Sequence, residues 1–176
     1  MKILVFTEGT ILMHSTCKGL TKEERVQQSK NRVRTYIKTL LKQISISIRS
    51  IHDYRNYIPV GNAVKKLNHW KRQEAEIYYL SSRKTPQEVA DIKYVLKKYN
   101  FPDNHNLFFR KKGEQYKDVA ERLLPDVIVE DDCESIGGEV EMTHPHIRAD
   151  FKSKIKSIIV KEFGGIDHIS NNLSDL

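Results

Sequence analysis

Three short polar clusters each directly follow an apolar run, and their residue types are those of phosphoryl chemistry. Thr7, Glu8, Gly9 and Thr10 follow the run KILVF from Lys2 to Phe6. Ser81, Ser82 and Arg83 follow IYYL, and Glu130, Asp131 and Asp132 follow DVIV, with Lys117 placed shortly before. Mg²⁺-assisted phosphoryl transfer needs oxygen ligands for a hard cation, donors for phosphate oxygens, and a positive charge to balance them. Acids at one strand end, hydroxyls at another and a nearby lysine supply that set. Each cluster also has a plainer reading: an acidic turn capping Cys133 to Ile136, turn hydroxyls ahead of a helix, and a surface lysine.

The elements that must position these residues follow from periodicity. Lys2 to Phe6 reads as a buried strand, Ile77 to Leu80 and Asp126 to Val129 as two more, and Leu107 to Phe109 and Ile155 to Val160 complete the set. Helical patterns stand between them. Thr21 with Glu24 makes a capping-box pattern, and apolar spacing from Val26 to Ile48 predicts one long helix from about Lys22 to Arg49, with Lys30, Arg34, Lys38 and Lys42 on its polar face. A shorter helical stripe runs from Val60 to Trp70. Thr85, Pro86 and Glu88 open a third helix, and Glu114 to Leu124 reads as a fourth. Strands alternating with helices call for a doubly wound, three-layer α/β sheet with parallel pairing, in which ligands bind beyond the carboxyl ends of the strands.

A chain of 176 residues is expected to form one domain, with a helical insertion at about 18–60. The net charge of +7 is unevenly placed: 14 Lys and Arg stand against three acids from Lys18 to Arg72, whereas 15 stand against 19 acids from Glu74 onward. Such a basic segment suits an anionic partner, whether a small phosphorylated molecule, a nucleic acid or an acidic protein surface, or simply a solvated helix face. No apolar stretch approaches the roughly 20 residues of a membrane span. Cys17 and Cys133 match neither a disulfide framework nor a metal spacing, so a cytoplasmic protein with free thiols is expected.

Other constellations are weaker. His144-Pro145-His146 lacks further ligands at metal spacing and reads as a surface loop. Gly137-Gly138 and Gly164-Gly165 belong to no phosphate-binding loop. Tyr54, Tyr57 and Trp70 lie near the basic region, but no nucleic-acid-binding motif accompanies them.

With these residues in order, the chain resembles the haloacid dehalogenase-like superfamily, most of whose members are Mg²⁺-dependent phosphatases with four strand-end motifs. The resemblance spans Met1 to about Ile166 apart from the basic helical segment. Ser81 looks like the second motif, Lys117 like the third, and Asp131 with Asp132 like the fourth. VFTEGTIL looks like the first motif, DxDGT, shortened by one residue: Gly9-Thr10 matches, while Phe6 or Thr7, depending on where the gap falls, stands in place of the nucleophilic aspartate. The resemblance implies Thr7, Gly9, Thr10, Ser81, Ser82 and Arg83 as phosphate-binding residues, Glu8 with Asp131 and Asp132 as metal ligands, and Glu8 and Lys117 as the remaining catalytic groups. It also implies weak Mg²⁺ binding, since a carboxylate ligand is missing. Neither Phe nor Thr can form a hydrolysable acyl phosphate.

Three readings stay open on the sequence. The chain is a degenerate member that keeps an anion or metal pocket without phosphoaspartate turnover, a working phosphohydrolase or phosphotransferase that uses Glu8 or a water held by Glu8 and Asp131, or an interaction module that uses its basic helix.

Overall fold

The computed structural model describes residues 1–40 and 53–176, with side chains outside 32–40. In chain order the elements are β1 (Lys2–Phe6), β2 (Leu12–His14), α1 (Lys22–Leu40), β3 (Tyr57–Pro59), α2 (Ala63–Arg72), β4 (Glu76–Ser81) and α3 (Pro86–Lys98). β5 (Leu107–Phe109), α4 (Tyr116–Leu123), β6 (Val127–Asp131), α5 (Ala149–Lys152) and β7 (Lys156–Val160) follow. The predicted extension of α1 to Arg49, with Lys42, lies outside the described residues.

Five strands pair in the order β5-β4-β1-β6-β7, and every pair is parallel. β1 is central and covered on both faces, so its apolar run is continuous, with Ile3, Leu4 and Val5 fully buried. On one face Ile3, Val5, Ile77, Tyr79, Val127 and Val129 pack against α2 and α3 through Leu67, Trp70, Ile92 and Leu96. On the other, Leu4, Leu80 and Ile128 pack against α4 and the segment carrying Ile147 and Phe151. The result is a three-layer, doubly wound sheet. Each large aliphatic side chain so buried contributes about 1.5–3 kcal/mol.

Local signals set the helix entrances. Thr85 accepts from the Glu88 amide and Glu88 returns a bond to the Thr85 amide, with Pro86 in the first turn. α4 starts later than the periodicity predicts, because Glu114 accepts from the Lys111 amide and closes a turn while Gln115 and Asp118 form the capping pair. β6 extends past its apolar run, since Glu130 and Asp131 pair with Ile159 and Val160 of β7.

A two-stranded antiparallel sheet, β2 with β3, lies outside the main sheet. The first turns of α1 sit beside it, where Val26 packs with Met13, Cys17, Val60 and Phe163. Thr21 and Glu24 form the expected reciprocal cap. Lys22 and Lys30 both reach Glu134, at 2.8 and 3.8 Å, so the start of the basic helix lies over the loop after β6.

The C-terminal segment is strapped to α2. Buried Lys66 donates from Nζ to the Ile169 carbonyl and Asn171 Oδ1, and the Trp70 indole N–H donates to the Ser170 carbonyl. Lys66→Ala leaves these acceptors without a donor and is expected to lower stability by about 1–3 kcal/mol in urea unfolding. Lys65→Ala, on the exposed side of the same helix, should stay within about 0.5 kcal/mol. Equal effects would remove the strap from the account.

Candidate functional site

The carboxyl ends of β4, β1 and β6 lie side by side, and one step beyond the Phe6–Leu80 pair Thr7 and Ser81 come level. The turn after β1 is tight: the Thr7 carbonyl accepts from the Ile11 and Leu12 amides. Gly9 has φ +84°, and a Cβ there would stand 2.7 Å from Asp131 Oδ2. Only glycine meets both demands. Thr10 Oγ1 donates to that same Asp131 oxygen at 2.8 Å.

Glu8 turns the other way, toward β4. Its carboxylate accepts from Ser81 Oγ at 2.7 Å, the Ser82 amide at 2.9 Å, Ser82 Oγ at 3.2 Å and Thr7 Oγ1 at 2.8 Å. Arg83 Nε lies 3.5 Å from it. Two hydroxyls, a backbone amide and a guanidinium after a strand form an anion cradle, and here a side chain of the same chain fills it. The Arg83 guanidinium rests 4.6 Å over the Tyr54 ring. Burial works against its charge, but the Glu8 carboxylate and the neighbouring Tyr57 and Tyr54 phenols hold it protonated above its ordinary value.

Asp131 is nearly fully buried. Burial pushes its carboxyl up to about 7, Glu162 adds a like charge, and Thr10 and the Cys133 amide pull it back. Asp132 faces elsewhere: its Oδ1 accepts from the Glu162 amide at 3.0 Å, and its Oδ2 pairs with Lys161 at 3.0 Å. Partial burial opposes its charge, but these two partners hold it below the usual carboxylate range. Glu130 points to the opposite sheet face and accepts from the Thr143 and His144 amides at 2.7 and 2.9 Å, so it secures a loop rather than joining the site.

The structure therefore brings Thr7, Glu8, Ser81, Ser82 and Arg83 together, and Gly9 and Thr10 with Asp131. Asp132 is turned away from both groups. Lys117 lies half-buried in the first turn of α4, and no hydrogen bond or ion pair joins it to the described residues. Neither stand-in for the nucleophile offers a carboxylate: the Phe6 ring packs edge-on to Tyr116 at 5.5 Å, and Thr7 is buried with its hydroxyl bonded to Glu8 and the Leu80 carbonyl. The histidines of His144-Pro145-His146 each face a carbonyl, of Ile155 and Val140.

A bound Mg²⁺ needs oxygen ligands converging on one point. Glu8 is engaged by β4, Asp131 by Thr10 and Cys133, and Asp132 by Glu162 and Lys161. Among the described residues no three His, Cys, Asp or Glu side chains are placed to hold a metal. In this arrangement the donor set does not fit Mg²⁺.

Sequence reasoning passed over two residues at these strand ends. Arg110 directly follows β5, and its guanidinium lies 3.8 Å over the Tyr116 ring, which also touches Phe6. Glu162 reaches the loop after β6 and accepts from the Ser135 amide and hydroxyl. Both follow strands that periodicity predicts, Leu107 to Phe109 and Ile155 to Val160, so the strand-end position was the usable signal.

No protein-family model matches the chain, and no curated protein matches it. Among solved structures it is similar to the class C acid phosphatase from Bacillus anthracis with tungstate bound, at TM-score 0.55 and 14% identity, over 93% of this chain and 68% of that one. A second structure of the class C acid phosphatase from Bacillus anthracis gives TM-score 0.51 at 13% identity, over 97% of this chain and 74% of that one. Those phosphatases belong to the haloacid dehalogenase superfamily. The parallel strand order, the helices on both faces and this overlap together give the chain a haloacid dehalogenase-like fold.

Proposed function

We propose that the chain is a phosphohydrolase-type protein that binds a small phosphorylated ligand at the Ser81–Ser82–Arg83 cradle and does not form a phosphoaspartate. The observation that carries this reading is the Glu8 carboxylate, which accepts from Ser81 Oγ, the Ser82 amide and Ser82 Oγ. Donors arranged around one anion suit another of similar charge, and a phosphate monoester offers more acceptor oxygens than a carboxylate. Its entry requires Glu8 to swing aside, so Glu8 holds the cradle together while it is unoccupied.

Turnover lacks a nucleophile. An acyl phosphate requires an ionised carboxylate facing phosphorus, and the first-motif positions carry Phe6 and Thr7. Asp131 cannot replace it from its buried site, where it is partly protonated at neutral pH and bonded to Thr10 and the Cys133 amide. Mg²⁺ binding is correspondingly weak.

The test is phosphate release from a panel of phosphomonoesters and nucleotides with Mg²⁺, run beside Asp131→Asn prepared identically. Equal background in both proteins is expected, and steady turnover that the substitution abolishes would overturn the reading. Calorimetric titration with Mg²⁺ should show no submillimolar binding, and a tighter site would contradict the donor geometry.

A further inference from the structure

Next to the cradle lies a second concentration of positive charge. β5 pairs with β4 so that Phe109 is opposite Ser81, which puts Arg110 one residue beyond that pair, beside the cradle on the adjacent strand. Neighbouring strands are roughly 5 Å apart. Lys84 directly follows Arg83, and with Arg110, Lys111 and Lys112 it lines a cavity of about 380 Å³. The acid in that lining, Glu114, is already engaged by Arg122 and by the Lys111 amide. None of the four cationic side chains forms an ion pair with a described residue.

Exposed lysines alone are commonly just solvated, but Arg110 is not of that kind. Its Nε is buried with no hydrogen-bond partner, while the Tyr116 ring holds its guanidinium in place. A buried donor without an acceptor is costly, and a ligand oxygen brought to Arg110 would supply one. Tyr116 also connects the two regions, since burial raises its hydroxyl's pKa while the charges of Arg110, Glu8 and Arg83 all act on it.

We infer that Arg110, with Lys84, Lys111 and Lys112, forms a second anion subsite, so that the ligand is a small molecule carrying two phosphate groups, one for the cradle and one for this cavity. The inference rests on the cradle reading proposed above. The size of the cavity favours a phosphate on a short carrier over a nucleic-acid strand, which would track an extended groove.

Calorimetric titration of the full chain with matched probes tests it: fructose monophosphate against fructose bisphosphate, and a nucleoside monophosphate against its bisphosphate. The bisphosphates are expected to bind at least tenfold more tightly, a difference of about 1.4 kcal/mol. Lys111→Ala/Lys112→Ala, which alters only exposed side chains, and separately Arg110→Met, should erase that difference and leave monophosphate affinity unchanged. Ser81→Ala should weaken both probes. Equal mono- and bisphosphate affinity, with Ser81→Ala still weakening both, would overturn the second subsite and leave the cradle reading standing. Bisphosphate binding that depends on the lysines but not on Ser81 would overturn the two-point ligand and the cradle reading together, as would no binding of any probe. A mixed-sequence DNA strand that binds as tightly as the bisphosphates, with a steep salt dependence, would replace the small ligand by nucleic acid.

Discussion

Glu8→Ala is expected to bind inorganic phosphate at least tenfold more tightly than the unaltered chain. In the latter an incoming phosphate must displace a carboxylate that already holds Ser81 Oγ, the Ser82 amide and Ser82 Oγ, with Arg83 alongside. The tethered carboxylate competes at a high effective concentration, and its removal ends that competition. The same variant loses stability without anions, by about 1–2 kcal/mol, because donors and a half-buried guanidinium lose their acceptor. Added phosphate should restore it by mass action, giving a larger rise in melting temperature for the variant than for the parent. Glu8→Gln, which keeps an acceptor oxygen but no charge, should fall between the two. Calorimetry and thermal unfolding in phosphate-free and phosphate buffers check both parts. Equal or weaker phosphate binding by Glu8→Ala would mean that the glutamate belongs to the ligand site itself, and the placeholder account would be lost.

The strands that carry the cradle were legible because they are buried on both faces, and an apolar run such as Ile3 to Val5 needs no partner to be recognised. The parallel pairing followed from strand and helix alternation, since parallel neighbours require crossovers. β2 and β3 were not legible: each has three residues, and they pair across more than forty positions of chain. The clusters at the strand ends were also readable, but the direction of each side chain was not. Glu8 and Asp131 both lie at strand ends, yet the longer glutamate reaches across to β4 while the aspartate stays against Gly9 and Thr10. Glu130 shows the same gap. Its partners are amides of Thr143 and His144, thirteen and fourteen residues along, where nothing in the residue types signals a buried carboxylate.

Asp131→Asn should change how stability depends on pH. The Asp131 carboxyl titrates near 7 in the folded chain because of burial first and then Glu162, against about 4 when unfolded. A folded value above the unfolded one means that the group favours folding below pH 4 and that this contribution is lost as pH rises through 7. Between pH 5 and 8 the parent should therefore lose about 2 kcal/mol relative to the asparagine variant, in which nothing titrates at this position. Glu130, also raised by burial, acts in the same sense in both proteins and cancels from the difference, whereas Glu162, raised by burial and coupled to Asp131 by charge, cancels only in part. Urea unfolding at several pH values measures it, and parallel curves for the two proteins would show that Asp131 is ionised throughout. Repeating the series with millimolar Mg²⁺ separates two ways of keeping a buried acid. A bound cation would favour the ionised carboxylate and flatten the parent curve, whereas retention by protonation and by the Thr10 and Cys133 bonds leaves the slope unchanged. The latter follows from the geometry, in which Glu8 and Asp132 both turn away from Asp131 and, among the described residues, no three His, Cys, Asp or Glu side chains are placed to hold an ion.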